Sequence, residues 1–289
     1  MSSPPPLRLL YALDASCLPL AQVSLASCLL HTPIAAVRVV SPAGTPLGPL
    51  QRLADAWSVP FEAVTIAADD PIERLPKAIR PYFYCVAALQ NLPPGRHLLL
   101  DADTLCVADL SPLAALSLDP ATPMAACSHG RPMPDRQLAL GLSSPYAYFN
   151  AGVLLLQAEA LAGRLSSEPV VDFVERHGLR CRFREQCAIN ALMAGAIAPL
   201  PLRYNLLSWM RQRARRSPWQ QLACNPMAAV LPNERRHAAV VHCSNGCLPP
   251  QLPWWSRDSF DRYWLRLARV LHAPGGASSQ QLRALPRYR

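Results

Sequence analysis

The 289-residue chain is 51% hydrophobic, enough to bury one large α/β core with or without a small appendage. It carries a net charge of +9, and Lys77 is its only lysine, so its fixed positive charge suits bidentate grips on phosphate more than chemistry that needs an ammonium. No apolar run reaches the ~20 residues that span a bilayer, and ten cysteines without a CxxC pair argue against a paired-cysteine zinc site and for structural thiols in a reducing compartment.

In chain order, LRLLYAL (7–13) is a short apolar run closed by Asp14 and reads as a buried first strand. Residues 18–30 have helical spacing. LASC (25–28) fits a bacterial lipobox, but Asp14 and Pro19 interrupt the apolar core that a signal peptide needs, so the segment is expected to belong to the fold. AAVRVVS (35–41) and FEAVTIA (61–67) read as strands on either side of a helix over 47–57. A further helix is expected over about 75–90, stopped by NLPPG, and HLLLD (97–101) forms the next strand. PMAAC (123–127) and YFNAGVLLLQ (148–157) read as core strands, and residues 128–145 between them as a surface loop. Helices are expected over 170–177 and 184–194, and residues 208–234 read as irregular and basic around RQRARR (211–216). AAVVHCSNG (238–246) is a last strand ending in a turn, followed by an amphipathic basic helix over 257–272 and a frayed tail.

Strands alternating with helices argue for an α/β fold with a mostly parallel sheet covered on both faces. Ligands of such sheets sit beyond the carboxyl ends of the strands. Asp14 and Asp101 each close an apolar strand, so both are expected on that edge.

The stretch HLLLDADTLCVADL (97–110) sharpens this. A buried strand does not tolerate unpaired carboxylates, so Asp101 and Asp103 must sit where the strand emerges. If the chain turns there, the pair can ligate a hard divalent cation and leave positions for phosphate oxygens. Such a cation would neutralise a leaving diphosphate. Haloacid dehalogenase-like phosphatases also carry a strand-end DxD, but near the start of the chain and with Thr or Val two residues after the second Asp. Here Leu105 holds that place, and the downstream lysine they favour is missing.

Nucleotide-sugar transfer is the other chemistry that begins this way. LLLDADTLCVADLSPL resembles the signature of the family 8 glycosyltransferases, retaining enzymes of the GT-A fold that include lipopolysaccharide galactosyltransferases and glycogenin-like proteins. The resemblance recurs in YALDASCLPLAQVSLASCLL, YFNAGVLLL, FREQCAINALMAG, LPLRYNLL and VVHCSNG, which together span about residues 7–246. It implies a GT-A domain over 1–250, with a Rossmann-like, mostly parallel sheet flanked by helices, and a small basic helical extension over 251–289. By the resemblance, Asp101, Asp103 and His242 bind Mn²⁺ or Mg²⁺. Asp14 and Ala12 at the first strand end contact the nucleotide, as do Asp101, Ala102 and Asp103 in the diacid turn and Gly246 in the histidine turn. Asn150, Glu185 and Gln186 face the sugar; Glu185 stands where the family usually has Asp, and Gln186 is too poor a nucleophile for a covalent intermediate.

Three departures from the family pattern stand out. The helix before the diacid lacks the arginine that reaches the donor; Tyr84 falls in its place, with Arg80 one turn earlier as the candidate substitute. The HxxGxxKPW motif is HCSNGCLPPQ here, with no lysine for the diphosphate, so Arg203 or an arginine of RQRARR is the expected replacement. The acid expected after MAAC is His129. The resemblance therefore implies a metal-dependent retaining hexosyltransferase that uses a UDP-sugar and a hydroxyl acceptor on a surface glycan, a lipid-linked oligosaccharide or a protein. The alternative is a non-catalytic or weakly active sugar-nucleotide-binding protein of the same fold. The expected location is the cytoplasm. Phe260, Trp264, Leu267 and Leu271 set against Arg262, Arg266 and Arg269, with Trp254 and Trp255 just before, suit either contact with an anionic inner-membrane surface or a helix packed on the core with a solvated basic face. No recognised nucleic-acid module surrounds the arginines.

Overall fold

The computed structural model describes residues 6–90, 92–130, 132–145, 147–161, 163–178, 181–213, 230–244, 248–253, 256–274 and 276–288. Strand β1 (Leu7–Ala12) pairs in parallel with β2 (Ile34–Ser41) and β4 (Arg96–Leu100), and β2 pairs in parallel with β3 (Phe61–Thr65). Helices α1 (Leu18–His31), α2 (Gly48–Ala56) and α3 (Arg80–Leu89) connect these strands. The expected mostly parallel sheet is there, with one strand reversed. Strand β7 (Phe149–Gln157) runs antiparallel to both β4 and β6 (Met124–Ser128), and β8 (Ile197–Leu200) closes the order β3-β2-β1-β4-β7-β6-β8. A strand buried on both faces is apolar throughout whichever way it runs, which is why FNAGVLLLQ did not disclose its direction.

A second sheet matters more for chemistry. Strands β5 (Thr104–Cys106), β9 (Leu206–Leu207) and β10 (Val240–His242) form it in the order β5-β10-β9. The chain leaves the main sheet at Leu100, turns through Asp101–Asp103, and enters β5, whose antiparallel register places His242 opposite Thr104. The ladder continues into the turn, where the Cys243 amide donates to the Asp103 carbonyl at 2.9 Å. Helix α1 anchors β5 from below: Ser27 Oγ accepts the Cys106 amide at 2.9 Å, and Ser24 and Thr104 share a hydroxyl bond of 2.8 Å. Two small polar residues inside an otherwise apolar helix thus fix the far side of the diacid turn.

Other elements differ from expectation for local reasons. Helix α3 begins at Arg80, after a 3-10 turn at Pro71–Arg74, because Pro81 suits a helix's first turn and not its interior. The predicted loop over 128–145 contains helix α5 (Pro134–Leu140), ended by Gly141 at φ +67°. Helices α4 (Ser111–Ala115), α6 (Ala158–Leu161), α7 (Ser167–His177) and α8 (Arg184–Leu192) complete the main body. In the basic region, α9 (Ser208–Arg213) and α10 (Leu231–Arg236) flank residues outside the described set, including Arg215 and Arg216.

The last helices pack back on the body. In α11 (Ser259–Leu271) the apolar face of Phe260, Trp264, Leu267 and Leu271 is buried in the same core as α1, leaving Arg262, Arg266 and Arg269 in solvent. The face read as a lipid contact is therefore spent inside the protein. Trp254 and Trp255 lie outside the described residues. The tail is not frayed: α12 (Ser279–Arg283) has a capping box, Leu282 and Leu285 are buried, and the Tyr288 amide donates to His31 Nε2 at 3.1 Å. Among the described residues no helix is long and apolar enough to cross a membrane.

Arg211, the first arginine of RQRARR, is also spent. It is buried, with Nε 3.0 Å from Asp258 and Nη2 2.5 Å from Asp261, the two residues of the α11 capping box. It cannot double as the missing diphosphate cation. Arg211→Ala would leave Asp261 without its cation and Asp258 with only Arg235, 3.7 Å away, and denaturant unfolding should register a loss of about 3–5 kcal/mol. An unchanged midpoint would mean that the pair is solvated.

Candidate active site

Asp101, Asp103, Asn150, Glu185, Gln186 and His242 line one cleft of about 400 Å³ at the carboxyl end of β4. Asp101 is fixed by its amide, which donates to the Gly152 carbonyl at 2.8 Å, and by Thr104, whose amide and hydroxyl both donate to the Asp101 carbonyl. This turn brings both carboxylates to one side. His242 Nε2 lies 3.1 Å from Asp103 Oδ1 and 3.6 Å from Asp101 Oδ2. One ligand atom from each residue falls within 4.8 Å of the others.

A chain of buried amides orients the imidazole. The Gly152 amide donates to Asn150 Oδ1 (3.0 Å) and the Ala151 amide to Gln186 Oε1 (3.2 Å). Backbone amides can only donate, so these two bonds identify which end of each side-chain amide is oxygen. Asn150 Nδ2 then donates to Gln186 Oε1 at 2.8 Å, and Asn205 Nδ2 donates to Asn150 Oδ1 at 2.7 Å. Asn205 Oδ1 is left to accept the proton of His242 Nδ1 at 3.0 Å. With Nδ1 protonated, Nε2 faces the diacid, which is the tautomer a metal-ligating histidine requires. Burial opposes charge on this imidazole, but Asp103 and Asp101 outweigh it and raise its pKa to about 9. A cation at the diacid would compete with that proton. Two hard carboxylates and a tautomer-locked imidazole nitrogen fit a divalent ion.

Space at the site is set by Gly152, whose φ is unexceptional. A Cβ there would lie 2.2 Å from His242 Cε1 and 2.7 Å from both Asp101 Oδ2 and His242 Nδ1. The glycine of FNAGV is needed for room.

A profile described as Glycosyl transferase family 8 matches residues 8–231. The chain belongs to glycosyl transferase family 8. It is a glycosyltransferase of the GT-A fold. It is similar to the galactosyltransferase LgtC, solved with donor and acceptor sugar analogs, at 18% identity over 91% of this chain and 95% of that one, with a TM-score of 0.68. It is also similar to the apo form of the glycosyltransferase GlyE of Streptococcus pneumoniae TIGR4, at 14% identity over 97% of this chain and 62% of that one (TM-score 0.68). Apo mouse xyloside xylosyltransferase 1 shares 14% identity over 82% of this chain and 96% of that one (TM-score 0.53). No curated protein sequence matches significantly.

The remaining expectations for this family 8 enzyme divide. Ala12 and Asp14 lie at the end of β1, where the Asp14 side chain accepts from the Ser16 amide and hydroxyl; Ala102 lies in the diacid turn. Tyr84 is buried close enough to Asp14 that, after burial, that charge raises its pKa. Arg80 does not reach the cleft. It holds the side chain and carbonyl of Glu73 and the carbonyl of Leu75, bracing the turn before its own helix. Arg203 does not line the cleft either; its guanidinium lies 5.0 Å from the Tyr204 ring. Gly246 falls outside the described residues.

Glu185 lies at the cleft with Oε2 buried and making no hydrogen bond. Burial and then the charge of Asp101 raise its pKa to about 8, while Arg184 pulls the other way. Gln186 Nε2 is likewise buried without a hydrogen bond of normal geometry, although the Tyr148 hydroxyl is near enough to feel it. Asn205, Arg182 and Arg184 are cleft or relay residues that the sequence reading did not single out. Asn205 was visible only as part of LPLRYNLL, and the two arginines precede the Glu185–Gln186 pair that drew attention instead.

Proposed function

We propose that this chain is a metal-dependent retaining hexosyltransferase that moves a hexose from a UDP-sugar to a hydroxyl acceptor. The observation that carries the reading is the convergence of Asp101, Asp103 and a tautomer-locked His242 at one strand end. Mn²⁺ or Mg²⁺ held by these three would supply charge neutralisation for the departing diphosphate.

The chain's own residues suggest the rest. Gln186 offers an amide at the buried floor of the cleft, with Nε2 beside the Tyr148 hydroxyl, as a candidate donor to a sugar oxygen. An amide is not a competent nucleophile, so Gln186 favours same-face displacement through an oxocarbenium-like state. The leaving phosphate is then the group placed to take the acceptor's proton. Asn150 ties Gln186 to the metal site, keeping the sugar-facing amide in register with His242. A glycan or lipid-linked acceptor in the cytoplasm fits this chemistry.

UDP release from a panel of UDP-hexoses tests the reading. Slow release from at least one donor, abolished by EDTA and restored by Mn²⁺, is the expected result. Release indifferent to EDTA, or no turnover of any donor, would overturn it, the latter in favour of a sugar-nucleotide binder. A finer test concerns the relay. Asn205→Leu removes the acceptor for His242 Nδ1–H, and loss of such an outer partner should weaken Mn²⁺ binding about 10- to 100-fold. Free Mn²⁺ followed by electron paramagnetic resonance measures this directly, and unchanged affinity would mean that the tautomer is set elsewhere.

A further inference from the structure

Among the described residues, the cleft wall carries two guanidinium groups, Arg182 and Arg184, both exposed. Neither makes a hydrogen bond or ion pair within the described residues. Three arginines outside the cleft are committed to carboxylates: Arg74 to Glu168 and Asp172, Arg80 to Glu73, Arg211 to Asp258 and Asp261.

Arg184 packs against a ring, and Arg182 lies near another. The Arg184 guanidinium carbon lies 3.6 Å from the centroid of Tyr82, and that of Arg182 lies 5.6 Å from Phe183. Arg184 also takes φ +48°, left-handed backbone that a non-glycine residue rarely adopts. A guanidinium stacked on a ring has its N–H edges free in the ring plane's direction, and that fork matches a carboxylate or phosphate.

Depth decides which substrate meets them. Asn150, Gln186 and His242 form the buried floor of the cleft beside the diacid, where a metal-bound diphosphate and its sugar belong. Arg182, Arg184 and the 46% exposed Tyr82 stand at the mouth, where the second substrate arrives. The carboxylates facing them are Asp101, Asp103 and Glu185; the first two belong to the cation on the floor.

We propose that Arg182 and Arg184 form an anion subsite at the mouth of the cleft, and that the acceptor is a sugar bearing a carboxylate or a phosphate. This rests on the sugar-transfer reading above. The probes are methyl galactopyranoside, its 6-carboxylate counterpart and galactose 6-phosphate, each titrated calorimetrically into protein saturated with UDP and Mn²⁺. At least one anionic probe should bind about tenfold or more tighter than the neutral one, the increment expected for charge-assisted bonds. In Arg182→Gln/Arg184→Gln that preference should fall to within about twofold while UDP affinity stays within about twofold. Both positions are exposed, and thermal melting checks that the variant folds.

Equal binding of neutral and anionic probes, no binding of any probe, or a preference that survives the double substitution would each overturn the subsite. A double variant that loses UDP affinity would assign the arginines to the diphosphate, which also overturns it. Failure of the unaltered protein to bind UDP with Mn²⁺ is a different result and sinks the sugar-transfer reading itself.

Discussion

Asp103→Ala should lose metal-dependent UDP binding and transfer by at least about 100-fold while the protein stays folded. The two halves of this expectation come from different atoms of one residue. The Asp103 carboxylate sits 3.1 Å from His242 Nε2 and is one of three groups able to hold a cation. Its carbonyl, which the substitution spares, accepts the Cys243 amide and continues the β5–β10 ladder. Calorimetric titration of UDP in the presence of Mn²⁺, with circular dichroism of both proteins, reads the two effects separately. If the variant binds UDP as the natural chain does, the diphosphate is not held through a cation at this turn.

The second large effect is expected at a residue with no functional group. In Gly152→Ala the new methyl would stand 2.2 Å from His242 Cε1 and 2.7 Å from Asp101 Oδ2, contacts that real Cβ atoms do not make. On the β4 side the Gly152 carbonyl is held by the Asp101 amide, so relief on that side comes from the imidazole or the carboxylate rather than from the strand. Moving either spoils a ligand set that tolerates little displacement, and a shift near 1 Å can cost about 100-fold in rate. Overpacking should also lower stability by roughly 1–3 kcal/mol. Metal-dependent UDP release and the thermal midpoint measure both. Full activity in this variant would show that the close approach of Gly152 to His242 is wrong.

Much of this was legible in the chain. HLLLDAD announced a strand end with two carboxylates because leucines and unpaired charge cannot share a buried strand. The alternation of apolar runs and helical spacing gave the layered sheet, though the reversed β7 stayed hidden because a fully buried strand has no polar face to betray its direction. His242 entered only through the family resemblance: one histidine in VVHCSNG has no intrinsic claim on an aspartate so distant in the chain. Hydrogen-bond register, which sequence does not display, makes that connection. The same limit explains Asn205. Its role depends on which atom of a neighbouring amide is oxygen, and that follows from backbone donors belonging to β7.

Arginine assignments fared worst, for an intelligible reason. A long flexible cation can satisfy many partners, so spacing does not reveal which it has chosen. Arg80, expected at the donor, braces the turn before α3, and Arg211 is sealed under α11. The two at the cleft without a hydrogen-bond or ion-pair partner among the described residues lie in RCRFREQ, where the Glu185–Gln186 pair that follows them attracted the chemical argument.

The pairing of β5 with β10 has a consequence for the protein's synthesis. The groups able to grip a cation come from segments separated by roughly 140 residues, a separation whose closure an unfolded chain meets only at an entropic cost. A ribosome has therefore threaded out most of the main sheet before His242 emerges, and an incomplete nascent chain has the diacid without its third partner. The three groups therefore meet only once the last third of the polypeptide has been made, as an assembly step.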